Sequence, residues 1–169
     1  MTDRVETLLP AELIEAARRA IDANRAAGRT VAIAESCTGG LISAALTELP
    51  GSSDVFVAGF VTYADDAKTQ IGVGRDIVET FGAVSIATGW AMAQAALKES
   101  GADIVVAVTG IAGPAGGTDK KPVGTVVFAR ALKGQDPDEM HADKHQFGDL
   151  GRGGVRLQAA LKALELLLP

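Results

Sequence analysis

The chain is short of the side chains that most often build reactive centres. Its 169 residues include one cysteine, two histidines, one tyrosine and one tryptophan, and aromatics make up 4% of it. A single cysteine, Cys37, excludes an internal disulfide, so a reducing, cytoplasmic setting is the expectation. Two histidines and one cysteine do not make a set of zinc ligands. With so few aromatics the core must be built from Ala, Val, Leu and Ile, as in sheets covered by helices on both faces. No apolar run approaches membrane-spanning length. The polar start at Thr2, Asp3, Arg4 and Glu6 lacks the form of a signal peptide. Basic charge is not in excess either: 16 Lys and Arg stand against 21 Asp and Glu, a net charge of -5. That balance argues against a nucleic-acid surface and against a membrane partner. The length fits one domain over 1–169, and a low-aromatic domain of this size is expected to self-associate.

Glycine, by contrast, is abundant, at 20 residues. The hydrophobic pattern places helices at 11–27, 39–49, 86–99 and 157–168, with shorter helical turns at 65–71 and 76–81. Pro10 and Gly28 bracket the first, Ser85 caps the third and Gly101 stops it. Strands fall at 30–35, 55–63, 104–109 and 123–132. A more polar strand at 140–147 pairs with its predecessor across a turn marked by Asp136-Pro137-Asp138. Strands alternating with helices predict an α/β fold, a three-layer αβα sandwich. The last two strands have no helix between them, so the sheet is expected to be mixed and mostly parallel, with one antiparallel edge. Ligands in such folds gather where loops leave the carboxyl ends of the strands.

Three of those ends are chemically unusual. Ala34-Glu35-Ser36-Cys37-Thr38-Gly39-Gly40 turns a buried strand into a helix. Small nucleophilic side chains then stand on the rim, and the N–H groups of a helix start at Thr38-Gly39 suit an anion or an oxyanion. One such donor is worth roughly 3–4 kcal/mol in a transition state. The same residues also read as a plain turn, with Ser36 or Thr38 as cap. Cys37 competes with Ser36, because a helix N-terminus activates a thiolate, although a lone cysteine is commonly a small buried hydrophobe. A serine needs a base. His141 and His145 sit in the polar late strand and read as a solvated edge face rather than a metal pair. Lys68, five residues after Tyr63, is the other basic candidate. Desolvation makes a lysine a better base, and a Ser–Lys pair with a tyrosine relaying the proton is an alternative to histidine. Lys68 equally reads as a solvated helix lysine paired with Asp65, and Tyr63 as a rim aromatic.

The third end, Thr109-Gly110-Ile111-Ala112-Gly113-Pro114-Ala115-Gly116-Gly117, reads as an N–H nest for phosphate or oxyanion, or as glycines that let the backbone pass a neighbour. It is not a P-loop, because no Gly-Lys-Ser/Thr ending is present. Arg152 and Arg156, one turn apart near the start of the last helix, read as a phosphate clamp or as a solvated face.

Six ordered blocks carry a family resemblance: 34–40, Pro50-Gly51-Ser52-Ser53, Val61-Thr62-Tyr63, Phe81-Gly82-Ala83-Val84-Ser85, 108–114 and Lys121-Pro122-Val123-Gly124-Thr125-Val126. Together they resemble the CinA C-terminal family, the competence/damage-inducible proteins, many of which are nicotinamide mononucleotide (NMN) amidohydrolases. The resemblance spans essentially the whole chain. It implies hydrolysis of the carboxamide of NMN to nicotinic acid mononucleotide and ammonia, without metal or cofactor. It puts the catalytic serine on Ser36, the tyrosine on Tyr63 and the lysine on Lys68. The substrate-binding parts fall on Cys37, Thr38, Gly39 and Gly40, on the 109–117 loop, and on Arg152 and Arg156. The family often carries a further N-terminal domain, so a stand-alone form is expected. Two positions depart from the family pattern: Ala64-Asp65 replaces a Ser-Asn pair, and Gly151 stands where the late arginine motif has Asp. The alternative from another class is a silent nucleotide-binding or scaffold protein linked to competence or DNA damage.

Overall fold

In the computed structural model, which describes residues 6–169, five strands form one sheet. They are β1 (Val31–Glu35), β2 (Phe56–Val61), β3 (Ile104–Gly110), β4 (Thr125–Leu132) and β5 (His141–Gln146). Six helices accompany them: α1 (Ala11–Ala26), α2 (Leu41–Thr47), α3 (Asp65–Gln70), α4 (Arg75–Phe81), α5 (Ile86–Ser100) and α6 (Gly151–Leu166). Thr2, Asp3 and Arg4, part of the polar start read from the sequence, lie outside the described residues.

The sheet order is β2-β1-β3-β4-β5. β1 runs parallel to both β2 and β3, whereas β4 is antiparallel to β3 and to β5. Four of the five strands therefore point one way, and the expected mixed, mostly parallel sandwich is what forms. After β1 the chain crosses outward to β2. It then returns past β1 through α3, α4 and α5 to β3. Connections leaving β1 and β3 on opposite sides open a crevice between their carboxyl ends.

Alternation along β1 and β3 builds two cores. Val31, Ile33, Ile104, Val106 and Val108 pack with α1, α2 and α6 on one face. Ala32, Ala34, Val105 and Ala107 meet α5 on the other. The first face is filled by branched and long side chains, each worth roughly 1.5–3 kcal/mol when fully buried. The second is lined largely by alanine, so α5 must lie close. A Cβ on Gly89 would stand 2.8 Å from Val127 Cγ1, which is why that helix carries a glycine there.

Three element starts differ from expectation by two residues or more. α2 begins at Leu41 because Gly39 and Gly40 adopt φ of 60° and 90° and belong to the turn before it. β4 begins at Thr125, after Pro122 and a Gly124 with φ of 90°. α6 starts at Gly151, six residues ahead of the expected 157, despite Gly153 and Gly154 in its first turn. Those glycines cost roughly 1 kcal/mol each in helix propensity. Arg152 and Arg156 offset that cost with tertiary hydrogen bonds from within the early turns. Gly154 also has a steric reason, since a Cβ there would come within 2.9 Å of Leu150 Cβ. Among the described residues no helix is long and apolar enough to cross a membrane.

Candidate active site

A cleft of about 180 Å³ opens at the crevice between β1 and β3, and Ser36, Tyr63 and Lys68 all line it. Three separate elements deliver them. Ser36 comes directly after β1, Tyr63 lies two residues beyond β2, and Lys68 is in α3. The parallel pairing of β1 with β2 brings the two strand ends together: Thr62 N–H donates to Glu35 O at 2.7 Å.

The turn after β1 is tightly bonded. Ser36 N–H donates to Val108 O at 2.9 Å, and Gly39 N–H returns to Ser36 O at 3.0 Å. Ser36 Oγ itself makes no hydrogen bond with another described residue. Glu35, a residue without a role in the sequence reading, governs the far end of the turn. It is fully buried, and its carboxylate accepts from the N–H groups of Gly40 (3.1 Å), Ile42 (3.1 Å) and Ser43 (2.8 Å) and from Ser43 Oγ (2.7 Å). The expectation that the start of α2 offers free N–H groups to an oxyanion is therefore corrected. Gly39, Gly40, Ile42 and Ser43 already donate within the protein, because a buried carboxylate must be satisfied by nearby donors. Only the N–H groups of Cys37 and Thr38 at this turn donate to no other described residue. One signal in the sequence points to Glu35: it shares strand parity with Val31 and Ile33, which aims an acid at the face that α2 covers.

Cys37 is buried, and that burial pushes its thiol up to about 11. The Glu35 charge adds to the rise, while Arg156 and Arg152 oppose it. A protonated thiol is a poor nucleophile, and Cys37 lines the cleft beside Ser36 in that form. Thr38 is buried as well, with Oγ1 unpartnered among the described residues, and its carbonyl accepts from Arg156 Nη2 at 2.9 Å.

Lys68 is 1% exposed, which replaces the solvated helix lysine of the sequence reading with a buried amine. Its Nζ donates to Thr62 O (3.1 Å), Tyr63 O (3.4 Å) and Asp65 Oδ1 (3.4 Å). Asp65, the partner expected for Lys68 and one of the two departures from the family pattern, lines the cleft. Tyr63 is 58% exposed, and its hydroxyl accepts from Arg152 Nη2 at 2.7 Å. Arg152 Nη1 donates to Gly113 O at 2.9 Å, so one guanidinium ties α6 to the tyrosine and to the glycine-rich loop. Both arginines reach the rim, yet they serve protein acceptors.

The loop after β3 splits in two. Gly110 and Ala112 line the cleft, and Gly113 is buried beside it. Ile111 N–H pairs with Thr125 O at 2.9 Å, whereas Gly116 and Gly117 are exposed and do not line the cleft. The Thr109 hydroxyl is spent on Ala83 O at 2.8 Å. That bond holds Ala83 and Val84 as a cleft wall, a role their place in a family block does not reveal. His141 and His145 lie on β5, away from the cleft; His145 Nε2 stands 3.2 Å from Asp143 and its ring stacks with Phe147.

Fold and site together define an α/β protein with a cleft lined by Ser36, Tyr63 and Lys68 at a parallel-sheet crossover. The model of the CinA C-terminal domain matches residues 14–169, and the chain belongs to that family. It is 48% identical to the nicotinamide-nucleotide amidohydrolase PncC of Enterobacter agglomerans over 145 residues, 85% of this chain and 86% of that protein. A CinA-like protein of Chlorobium luteolum is 44% identical over 145 residues, 83% of this chain but 34% of its own length. The chain thus spans about a third of the length of such CinA-like relatives. Among solved structures, the competence/damage inducible protein CihA of Agrobacterium tumefaciens superposes with a TM-score of 0.89 at 48% identity, covering 95% of this chain and 96% of that one.

Proposed function

We propose that this chain is a nicotinamide-nucleotide amidase, hydrolysing the carboxamide of NMN to nicotinic acid mononucleotide and ammonia with Ser36 as nucleophile. The observation that carries the reading is one cleft lined by an unencumbered serine hydroxyl, a buried lysine amine and a tyrosine hydroxyl held by an arginine. The 48% identity to a PncC amidohydrolase of nearly equal length supports the substrate.

Ser36 Oγ attacks the carboxamide carbon while Lys68, as a neutral amine, takes the hydroxyl proton. To act so, the amine must turn from one of the three oxygens to which its Nζ donates, Thr62 O, Tyr63 O and Asp65 Oδ1. Tyr63, whose oxygen accepts from Arg152, keeps its own proton free to relay between serine and amine. The oxyanion is held by the Cys37 and Thr38 N–H groups, with the 110–113 backbone opposite. The C–N bond then breaks and ammonia leaves with the proton from Lys68. Water cleaves the nicotinoyl–serine ester, releasing the acid and restoring the hydroxyl. Arg156 meets the substrate phosphate by exchanging its protein acceptor for it, and Arg152 does so through Nη1, which leaves Gly113 O while Nη2 keeps Tyr63. The same reading includes a cytoplasmic, self-associating domain over 1–169, and a monomer by sedimentation at micromolar concentration would remove self-association from it.

A coupled ammonia assay with NMN tests the proposal. Ser36→Ala is expected to lower kcat by at least about 1000-fold with the melting temperature unchanged. Near-parental turnover by that variant ends the Ser36 mechanism, and absence of turnover in the parent leaves the phosphate-binding scaffold reading.

A further inference from the structure

The Glu35 carboxylate is buried beside the proposed nucleophile, with no lysine or arginine within ion-pair distance among the described residues. Its two oxygens meet four donors: three backbone N–H groups and the Ser43 hydroxyl. Four donors fill the acceptor capacity of a carboxylate. The bonds span residues 40 to 43, so they fasten both the end of the turn and the first residues of α2 to the tip of β1. Neither anchor moves independently of the other. The clamp also needs room. On the neighbouring strand a Cβ at Gly59 would collide with Ser43 Oγ, the atom that completes the four contacts.

Glycine lets the turn between these anchors form without strain but does nothing to fasten it. Gly39 and Gly40 both adopt left-handed φ, and Gly40, the residue before α2, contributes no side-chain cap. Without the carboxylate, the α2 N–H groups would be buried donors lacking acceptors, and the turn would rearrange to find others.

We propose that Glu35 is a positioning residue for the reaction: its carboxylate, completed by Ser43 and permitted by Gly59, clamps the 36–40 turn so that the Ser36 hydroxyl is presented to the cleft and the Cys37 and Thr38 N–H groups stay free for the oxyanion. This rests on the reading of Ser36 as nucleophile. The clamp acts on kcat rather than on substrate affinity, because it orients the attacking atom and touches no part of the substrate.

The test compares the parent with Glu35→Gln and Ser43→Ala, using NMN kinetics, thermal unfolding and titration of Cys37, the chain's one thiol, by thiolate absorbance. Glutamine keeps the size but turns N–H donors toward N–H donors. It is expected to lower kcat roughly 10- to 100-fold with KM within about threefold, the scale of losing a charged hydrogen bond in the transition state. Cys37 in Glu35→Gln should titrate at lower pH than in the parent, because a negative neighbour has gone while Arg152 and Arg156 remain. Ser43→Ala removes one of the four contacts and should lower kcat about threefold to tenfold while the fold is retained, so it decides the matter if the glutamine variant fails to fold. A folded Glu35→Gln or Ser43→Ala enzyme with parental kcat, or a loss carried by KM alone, overturns the proposal. The thiol titration needs no substrate. Should Ser36→Ala retain turnover while Glu35→Gln still shifts Cys37, the nucleophile reading falls and the clamp on the turn stands.

Discussion

The segments after β1 and β3 look alike on paper, since both are runs of small residues and glycine that leave a buried strand. They have opposite physical characters. In the 36–40 turn Ser36, Cys37 and Thr38 are buried, and although Gly39 is exposed the end of the turn is bonded to the Glu35 carboxylate through the half-buried Gly40 N–H. In the 111–117 loop, Ile111 N–H is paired, but the N–H groups of Ala112, Gly113, Ala115, Gly116 and Gly117 donate to no described residue. From Pro114 onward that loop is exposed, so water can satisfy what the protein does not. Glycine content alone therefore says nothing about rigidity. What separates the two is whether an acceptor of adequate strength is buried with the donors.

Four substitutions sharpen or break that contrast. The largest effect is expected at Gly40, whose φ is 90° in the clamped turn. Gly40→Ala should destabilise the fold by about 1–3 kcal/mol and lower amidase kcat roughly 100-fold or more. Parental urea unfolding and parental kcat together would show the turn to be as tolerant as the loop.

Next is the buried thiol. Its raised pKa means the folded protein holds the proton longer than the unfolded chain does. The associated stability is complete below about 9 and is lost as pH rises to about 11. Replacing Cys37 by alanine should make that alkaline fall shallower by an amount on the order of 3 kcal/mol, read from urea midpoints at the two pH values. Identical pH profiles would mean that the turn admits solvent.

Arg152→Gln cuts the tie between the loop and Tyr63. It should lower kcat/KM for NMN about tenfold and speed hydrogen exchange at the bonded Ile111 N–H while the Gly39 and Gly40 N–H groups stay protected. Exchange that quickens in both segments equally would contradict their independence. The smallest effect is expected at Gly116, exposed with φ of 91°, where an added Cβ would meet only Ile111 Cγ2 at an ordinary 3.7 Å. Gly116→Ala should cost no more than about 1 kcal/mol and leave kcat within about threefold.

Much of this molecule is legible in its residues alone. The apolar runs at 31–34 and 104–108 can only be two-sided buried strands, and the polar 141–146 strand following β4 announces the antiparallel edge. Ser36 and Tyr63 stand out by residue type and position at strand ends. Other features have no local signature. Lys68 looks like any helix lysine; it is buried because α3 is folded back against the end of β2. The start of α6 is hidden by Gly151, Gly153 and Gly154, which argue against a helix until Arg152 and Arg156 find their distant acceptors.

Sequence by itself determined the layering, since a period of two or of 3.6 in apolar residues dictates which face each element must bury wherever its partners lie. Tertiary structure alone decided which polar groups were already spoken for. Glu35 and Ser43 are eight positions apart and Tyr63 and Arg152 are 89 apart. A hydrogen bond depends on a few tenths of an ångström and on direction, and that geometry exists only once the sheet has brought its strand ends together.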